Sequence, residues 1–326
     1  MRAIVVRRPG GPEVLEVVAR PLPEPGKGEV RVRVGASGLN RADLLQREGK
    51  YPAPPGWPAD IPGLEFAGVI DALGEGVEAR IGDRVMGIVG GGGYAEAVVL
   101  PARQAVPIPA GMEIGEAGAV AEVFMTAYDA LFRQMHLALG ETVLLHAVGS
   151  GVGTAAVQLA RTGGARVIGT SRSEDKIRRA AELGLGCGIV IQDESWPDAV
   201  LEVTGGRGVD LLMDLVGAPY LAGNQRVLAT GGRMIVVGTT AGPKGELDLR
   251  VLMGRRATMV GTVMRARLPE EKVALARDFA AHVVPLFENA TLQPVVDRYI
   301  RPEQIGDAHR SLEANETFGK IVILWE

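Results

Sequence analysis

The stretch Thr142-Val143-Leu144-Leu145-His146-Ala147-Val148-Gly149-Ser150-Gly151-Val152-Gly153 decides how the rest of the chain is read. Its apolar first half predicts a buried strand over Thr142–Ala147, and helical patterning follows over Val152–Thr162. Between them, glycines let the backbone turn sharply and approach a ligand, while the helix start offers unpaired amides and a favourable dipole. Strand, glycine turn and helix in this order point to a pyrophosphate-binding turn formed by Gly149, Ser150, Gly151, Val152 and Gly153. The spacing is not a strict GxGxxG, so the surrounding pattern carries the reading. Glycines serving only close packing are the alternative.

Outward from that turn the pattern repeats. Strands are expected at Ala165–Thr170, Gly188–Ile191, Val209–Leu215, Arg233–Val237 and Thr258–Gly261, with helices at Glu174–Leu183, Trp196–Thr204 and Tyr220–Ala229. Near-continuous apolar strands alternating with amphipathic helices predict an α/β fold, a doubly wound parallel sheet covered on both faces. Dinucleotide sites of this kind select their ribose ~20 residues past the glycine turn, where an acid signals NAD. Ser171 stands there, followed by Arg172, with Lys176 one turn further. A hydroxyl and cations suit a 2′-phosphate, so NADPH is the expected cofactor. Glu174 and Asp175 read instead as first-turn acids of a helix capped by Ser173. The carboxyl ends of the later strands add Val216, Gly217, Gly238 and Thr239 as cofactor contacts.

The first third is different. Val30–Val34 alternates Val-Arg-Val-Arg-Val, the period of a half-buried antiparallel strand, and short apolar runs follow at Gly68–Ile70, Val85–Val89 and Ala95–Leu100. An irregular, Pro-rich loop spans Tyr51–Pro62, and Gly90–Gly93 reads as a flexible turn rather than a phosphate loop. A helical stretch runs from about Glu116 to Leu139. After Met264 a long helix (Pro269–Glu288), a strand, a helix and a last strand (Lys320–Trp325) break the alternation, as expected of a tail that returns to the first domain. The expected boundaries are 1–122, 123–264 and 265–326.

Composition narrows the classes. The 326 residues carry a net charge of −4, which supplies no pull towards nucleic acid or an acidic membrane surface. The single cysteine, Cys187, excludes an internal disulfide framework and any multi-cysteine zinc site. The chain opens on a strand-like Ala3–Val6 without a signal-peptide pattern, and no apolar run approaches the ~18–20 residues of a membrane helix. A cytoplasmic location is expected.

Several segments resemble one family: Ala36-Ser37-Gly38-Leu39-Asn40-Arg41-Ala42-Asp43, Gln46-Arg47-Glu48-Gly49-Lys50-Tyr51-Pro52, Pro62-Gly63-Leu64-Glu65, His146–Gly153 and Gly319-Lys320-Ile321-Val322. Together they resemble the medium-chain dehydrogenase/reductase superfamily, in its zinc-free, zeta-crystallin-like quinone oxidoreductase branch, and there the tumour-suppressor-inducible group. The resemblance implies a Rossmann-type domain inserted in a β-rich, GroES-like catalytic domain, with hydride passing from NADPH to a quinone or another conjugated carbonyl in the cleft between them. It implies an active-site loop with Asn40, Asp43 and Tyr51, a nicotinamide contact at Thr126, weaker cofactor contacts at Arg265 and Lys320, and a homodimer. The edge strand Thr258–Gly261 would pair with its twin. For Asn40 a turn residue, for Asp43 a helix-opening acid and for Tyr51 plain packing are the alternatives.

In the zinc alcohol dehydrogenases of that superfamily, cysteine and histidine hold the metal; the corresponding positions here are Asn40, Leu64 and Glu122, leaving Glu65 alone of that neighbourhood. No metal site is therefore expected, because one carboxylate cannot build a tetrahedral site. An acceptor that delocalises charge onto oxygen needs no Lewis acid. Alkenal, enone or enoyl-thioester reduction is the neighbouring alternative, and a crystallin-like or RNA-binding protein that merely holds NADPH is the remote one.

Overall fold

The computed structural model describes residues 1–325. They form two units, residues 1–125 with 264–325, and residues 126–263.

The second unit is built on six parallel strands: Thr142–Leu145, Arg166–Ser171, Cys187–Val190, Val209–Asp214, Leu228–Val236 and Thr258–Gly261. Numbered in chain order, they lie 3-2-1-4-5-6 across the sheet. The first strand is therefore central and buried at all four positions, which explains its unbroken apolar run. Leu144, Ile168, Ile189, Leu212 and Met234 share one core with Trp196, Val200 and Val227 of the covering helices. The strand order reverses between the first and fourth strands, the switch point at whose carboxyl ends ligands of doubly wound sheets bind.

The first unit centres on the long strand Glu29–Gly38. It pairs antiparallel with Glu65–Leu73, Ala97–Pro101 and the C-terminal strand Lys320–Leu324. That last strand runs parallel to Val296–Ile300, so the tail completes the sheet begun near the N-terminus. Val30, Val32 and Val34 point into a core with Phe66, Ile70, Leu100 and Ile323, while Arg31 and Arg33 point away from it.

Four expectations need correction. The helix over Glu116–Leu139 is three pieces: Ile114–Ala117, Ala121–Tyr128 and a π-helical turn at Asp129–Gln134. The helix over Pro269–Glu288 is two, Pro269–His282 and Val284–Glu288, because Pro285 lacks an N–H and sits at the start of the second. The helix expected over Tyr220–Ala229 is shorter, Leu221–Val227 after a 3-10 turn, and the strand that follows starts at Leu228 rather than Arg233. Gly90–Gly93 is buried rather than a loose turn: a Cβ on Gly90 would meet Trp57 at 2.4 Å, and Arg265 Nε donates to the Gly90 carbonyl at 2.7 Å.

Candidate active site

In the dinucleotide-type unit the glycine turn joins the first strand to the helix Gly151–Thr162. Ala147 holds a left-handed φ of 53°, a strained geometry that aims the following residues over the strand end. Gly153 is obligatory for packing, since a Cβ there would lie 2.3 Å from the Ala147 carbonyl oxygen. Ser150 is the N-cap: its Oγ accepts from the Gly153 amide at 3.0 Å and donates to the Ala147 carbonyl at 2.8 Å. The first-turn amides of Gly151 and Val152 have no acceptor within the helix, the arrangement that receives a phosphate. Gly149 lies against the aliphatic stem of Lys176, whose Cδ would be 2.6 Å from an added Cβ. The helix Glu174–Glu182 thus brings that lysine to the glycine turn. Ser171 ends its strand, buried, with its Oγ accepting from the Ser173 amide at 3.1 Å, and Arg172 beside it is exposed. These residues fit a nicotinamide dinucleotide.

Behind the turn runs a buried chain of polar groups that sequence reading passed over. Asp214 Oδ1 accepts from the amides of Val216 (2.7 Å) and Gly217 (3.0 Å), and its Oδ2 accepts from Asn224 Nδ2 (2.9 Å). That fixes the Asn224 amide, whose Oδ1 must then accept from His146 Nε2 at 2.7 Å. His146 Nδ1 is left as acceptor for the Thr170 hydroxyl, also at 2.7 Å. Burial pushes the His146 pKa below its ordinary value, in keeping with this neutral tautomer. The chain ties the carboxyl ends of three strands together. Val216 and Gly217 therefore spend their amides on Asp214, with Gly217 at φ 94° packed 2.6 Å (as a virtual Cβ) from the Gly242 carbonyl. Gly238 and Thr239 belong to the adjoining loop: Gly238 N donates to the Asp214 carbonyl at 3.3 Å, and the Thr239 carbonyl accepts from the Gly242 amide at 3.1 Å. The Thr126 hydroxyl is buried without a hydrogen-bond partner among the described residues, an acceptor and donor left for something else.

In the other unit, Asn40 and Asp43 are held by one network and Tyr51 by a second. Asn40 is the N-cap of the helix Arg41–Arg47, a finding that replaces a bare turn. Its amide is fixed from both ends, with Oδ1 accepting from Lys320 Nζ (2.7 Å) and Nδ2 donating to Glu65 Oε1 (2.9 Å). Lys320, 3% exposed, also pairs with Glu65 at 2.6 Å and donates to the Leu39 carbonyl. It is neither a surface cation nor a group free to hold a cofactor; it orients Asn40. Arg265 is likewise buried and committed, to Gly90 O (2.7 Å), Tyr51 O (2.9 Å) and Gln46 Oε1 (2.6 Å), with its guanidinium 4.8 Å from the Tyr51 ring. It positions Tyr51. Neither side chain could be placed from local pattern, because each partner lies over 170 residues away in the chain for at least one bond.

Asp43 is fully buried. Its carboxylate accepts from the Asn40 amide (2.7 Å), the Gly63 amide (3.2 Å) and the Tyr94 hydroxyl (2.8 Å), so it opens the helix and clamps the neighbouring loop rather than facing an open space. Beyond Tyr94, His309 Nδ1 accepts from Arg47 Nη1 at 3.2 Å, which leaves the ring proton on Nε2. Burial, and then the Arg47 charge, push the His309 pKa down to about 3. Between that value and the ordinary 6.5 the unfolded chain binds a proton that the folded one refuses, so this group removes stability as pH falls through that window. Asp43 works the other way: burial pushes it up to about 6, against the bonds from Asn40 and Tyr94, and its contribution is lost as pH rises from 3.8 to about 6. The larger His309 shift dominates. His309→Gln is expected to flatten the decline in urea-unfolding stability between about pH 6.5 and pH 3; an unchanged slope would refute the assignment.

The zinc positions do not form a donor set. Both Glu65 oxygens are taken, one by Lys320 and Asn40 and the other by the Glu122 amide at 2.9 Å, and Leu64 is apolar. Among the described residues no three His, Cys, Asp or Glu side chains come together to hold an ion. Glu122 itself, noted in the sequence only as a substituted ligand position, has a buried Oε2 without a hydrogen-bond partner among the described residues.

Residues 26–110 match the alcohol dehydrogenase GroES-like domain, and residues 151–287 match the zinc-binding dehydrogenase family. The chain is 33% identical to the quinone oxidoreductase of Lama guanicoe over 99% of its own length and 97% of that protein's. It matches the crystal structure of an NAD-dependent alcohol dehydrogenase at 36% identity and a TM-score of 0.90, over 100% of both chains. The Escherichia coli quinone oxidoreductase complexed with NADPH matches at 27% identity, also with a TM-score of 0.90 over 100% of both chains. A β-rich GroES-like unit, a parallel sheet in 3-2-1-4-5-6 order and a full-length relative together show that the chain is an oxidoreductase of the medium-chain dehydrogenase/reductase superfamily, in its zeta-crystallin-like quinone oxidoreductase family.

Proposed function

We propose that the protein is an NADPH-dependent, zinc-independent quinone oxidoreductase. The observation that carries this reading is the pairing of Glu65 with the Lys320 ammonium, which replaces a metal by a side-chain cation and leaves hydride transfer to an acceptor that stabilises its own charge. Bound NADPH would supply the hydride. The amides of Gly151 and Val152 would hold its pyrophosphate, Ser171, Arg172 and Lys176 its 2′-phosphate, and the unpartnered Thr126 hydroxyl its carboxamide. Tyr51, stacked on Arg265, presents a flat ring to a flat acceptor. Asn40, fixed by Lys320 and Glu65, retains one Oδ1 lone pair for a hydroxyl of the cofactor or product. Asp43 serves by holding Asn40 in place.

Among the described residues the edge strand Thr258–Gly261 pairs on one side only, with Leu228–Val236, which supports a homodimer joined along that edge. No helix of the described residues is long and apolar enough to cross a membrane.

The test follows the absorbance of reduced nicotinamide with ortho-quinones, naphthoquinones, alkenals and simple alcohols, in the presence of a chelator. Chelator-resistant oxidation of NADPH by quinones is the expected result. Turnover of enals alone would move the activity to alkene reduction, and turnover of alcohols alone would overturn the reading.

A further inference from the structure

We infer that Glu122 is the group that hands a proton to the reduced acceptor, a role that rests on the quinone oxidoreductase reading above. Its backbone amide is bound to Glu65 Oε2, while its own Oε2 is buried and has no hydrogen-bond partner among the described residues. A buried oxygen left without a donor is costly on a carboxylate; on a neutral acid the same group is an O–H waiting for an acceptor. The neighbourhood favours the neutral form, because Glu65 already carries the carboxylate paired with Lys320.

The charges that act on Glu122 come from several elements. Burial raises its pKa most and Glu65 raises it further; Lys320 lowers it, Asp43 raises it and Arg265 lowers it, with a result of about 8. Tyr51 and Lys272 also feel its charge. Burial raises the Tyr51 phenol above its ordinary 10 despite the Arg265 charge, so near neutral pH it is much the poorer acid. General acids work best when their pKa lies near the operating pH, which selects the carboxyl over the phenol.

The step balances simply. A quinone that has accepted a hydride, and so two electrons, bears negative charge on oxygen. The Glu122 O–H bond breaks, a new O–H bond forms on that oxygen to give the hydroquinone, and the Glu122 carboxylate regains its proton from water.

The experiment compares wild type with Glu122→Gln, Glu122→Asp and Tyr51→Phe, all full-length and with the reduced cofactor at saturation. Glu122→Gln is expected to lower kcat about 100-fold or more with KM for the quinone little changed, within the range of general acid catalysis. The fall of the wild-type rate above about pH 8 should vanish in that variant and return, shifted, in Glu122→Asp. Without turnover, infrared difference spectra should show a protonated-carboxyl stretch that titrates near pH 8 in wild type and is missing in Glu122→Gln. Full activity in Glu122→Gln, or transfer of the alkaline limb to Tyr51→Phe, would overturn the inference alone. A wild type silent with every quinone would instead sink the functional reading, and the inference with it.

Discussion

Lys320→Met is expected to destabilise the unit built on Glu29–Gly38 by about 3–5 kcal/mol, the usual cost of removing one partner from a buried ion pair. Glu65 is fully buried and Lys320 is 3% exposed, so no solvent can take over when the ammonium goes. The lost contacts are specific: Glu65 Oε1 at 2.6 Å, Asn40 Oδ1 at 2.7 Å and the Leu39 carbonyl. The strand that supplies Lys320 also joins the C-terminal segment to Ala36–Gly38, so the loss falls where the tail completes the sheet. Lys320→Met/Glu65→Met should recover part of the stability, because it removes the stranded charge as well as the cation. Trp57 and Trp325 report on this unit and Trp196 on the other, so fluorescence-detected urea unfolding in a Trp196→Phe background isolates the effect. A loss below about 1 kcal/mol would mean that Glu65 is not held as a carboxylate by Lys320.

What the sequence discloses and what it hides follow a physical division. The parallel sheet was legible because its central strand, buried on both faces, must be apolar throughout, as Val143-Leu144-Leu145 is. The glycine turn was legible because tight backbone approach restricts residue choice locally, as at Gly153. The tail's return was legible as a break in alternation, now seen as Lys320–Leu324 beside Ala36–Gly38. Helix ends were less so: the π-turn at Asp129–Gln134 depends on competing hydrogen bonds that periodicity does not register, whereas the break near Val283 had its mark in Pro285.

The catalytic unit was the least legible part. Asp43, Tyr94, His309 and Arg47 form one network through pairs up to 262 residues apart, and no local pattern encodes such a meeting. Arg265 and Lys320 were recognised as candidate residues without the protein groups that hold them, because a cation in sequence does not announce whether it will be buried. Glu122 had a visible signal, an acid where the resembling zinc enzymes carry a ligand. Its chemistry becomes readable only when Glu65 is seen already paired.

Arg172→Ala is expected to weaken NADPH binding about 10- to 150-fold and to leave NADH binding nearly unchanged, the range for one charged hydrogen bond of about 1.5–3 kcal/mol. Arg172 is exposed at the end of the strand Arg166–Ser171, and the buried Ser171 hydroxyl is anchored beside it by the Ser173 amide. Lys176 bears on the glycine turn through its stem at Gly149, so some cationic character survives the substitution and complete loss is not expected. Ser171→Asp goes further, because it puts a carboxylate where dinucleotide sites that choose NAD place one, next to the ribose hydroxyls. That variant should repel the 2′-phosphate and improve NADH, reversing the preference. Fluorescence titration of both reduced cofactors against wild type and the two variants decides the matter. Equal losses for NADPH and NADH in Arg172→Ala would show that Arg172 touches a part common to both, such as the pyrophosphate. The 2′-phosphate would then need another partner, with Lys176, in the helix Glu174–Glu182 that follows, the next cation along the chain.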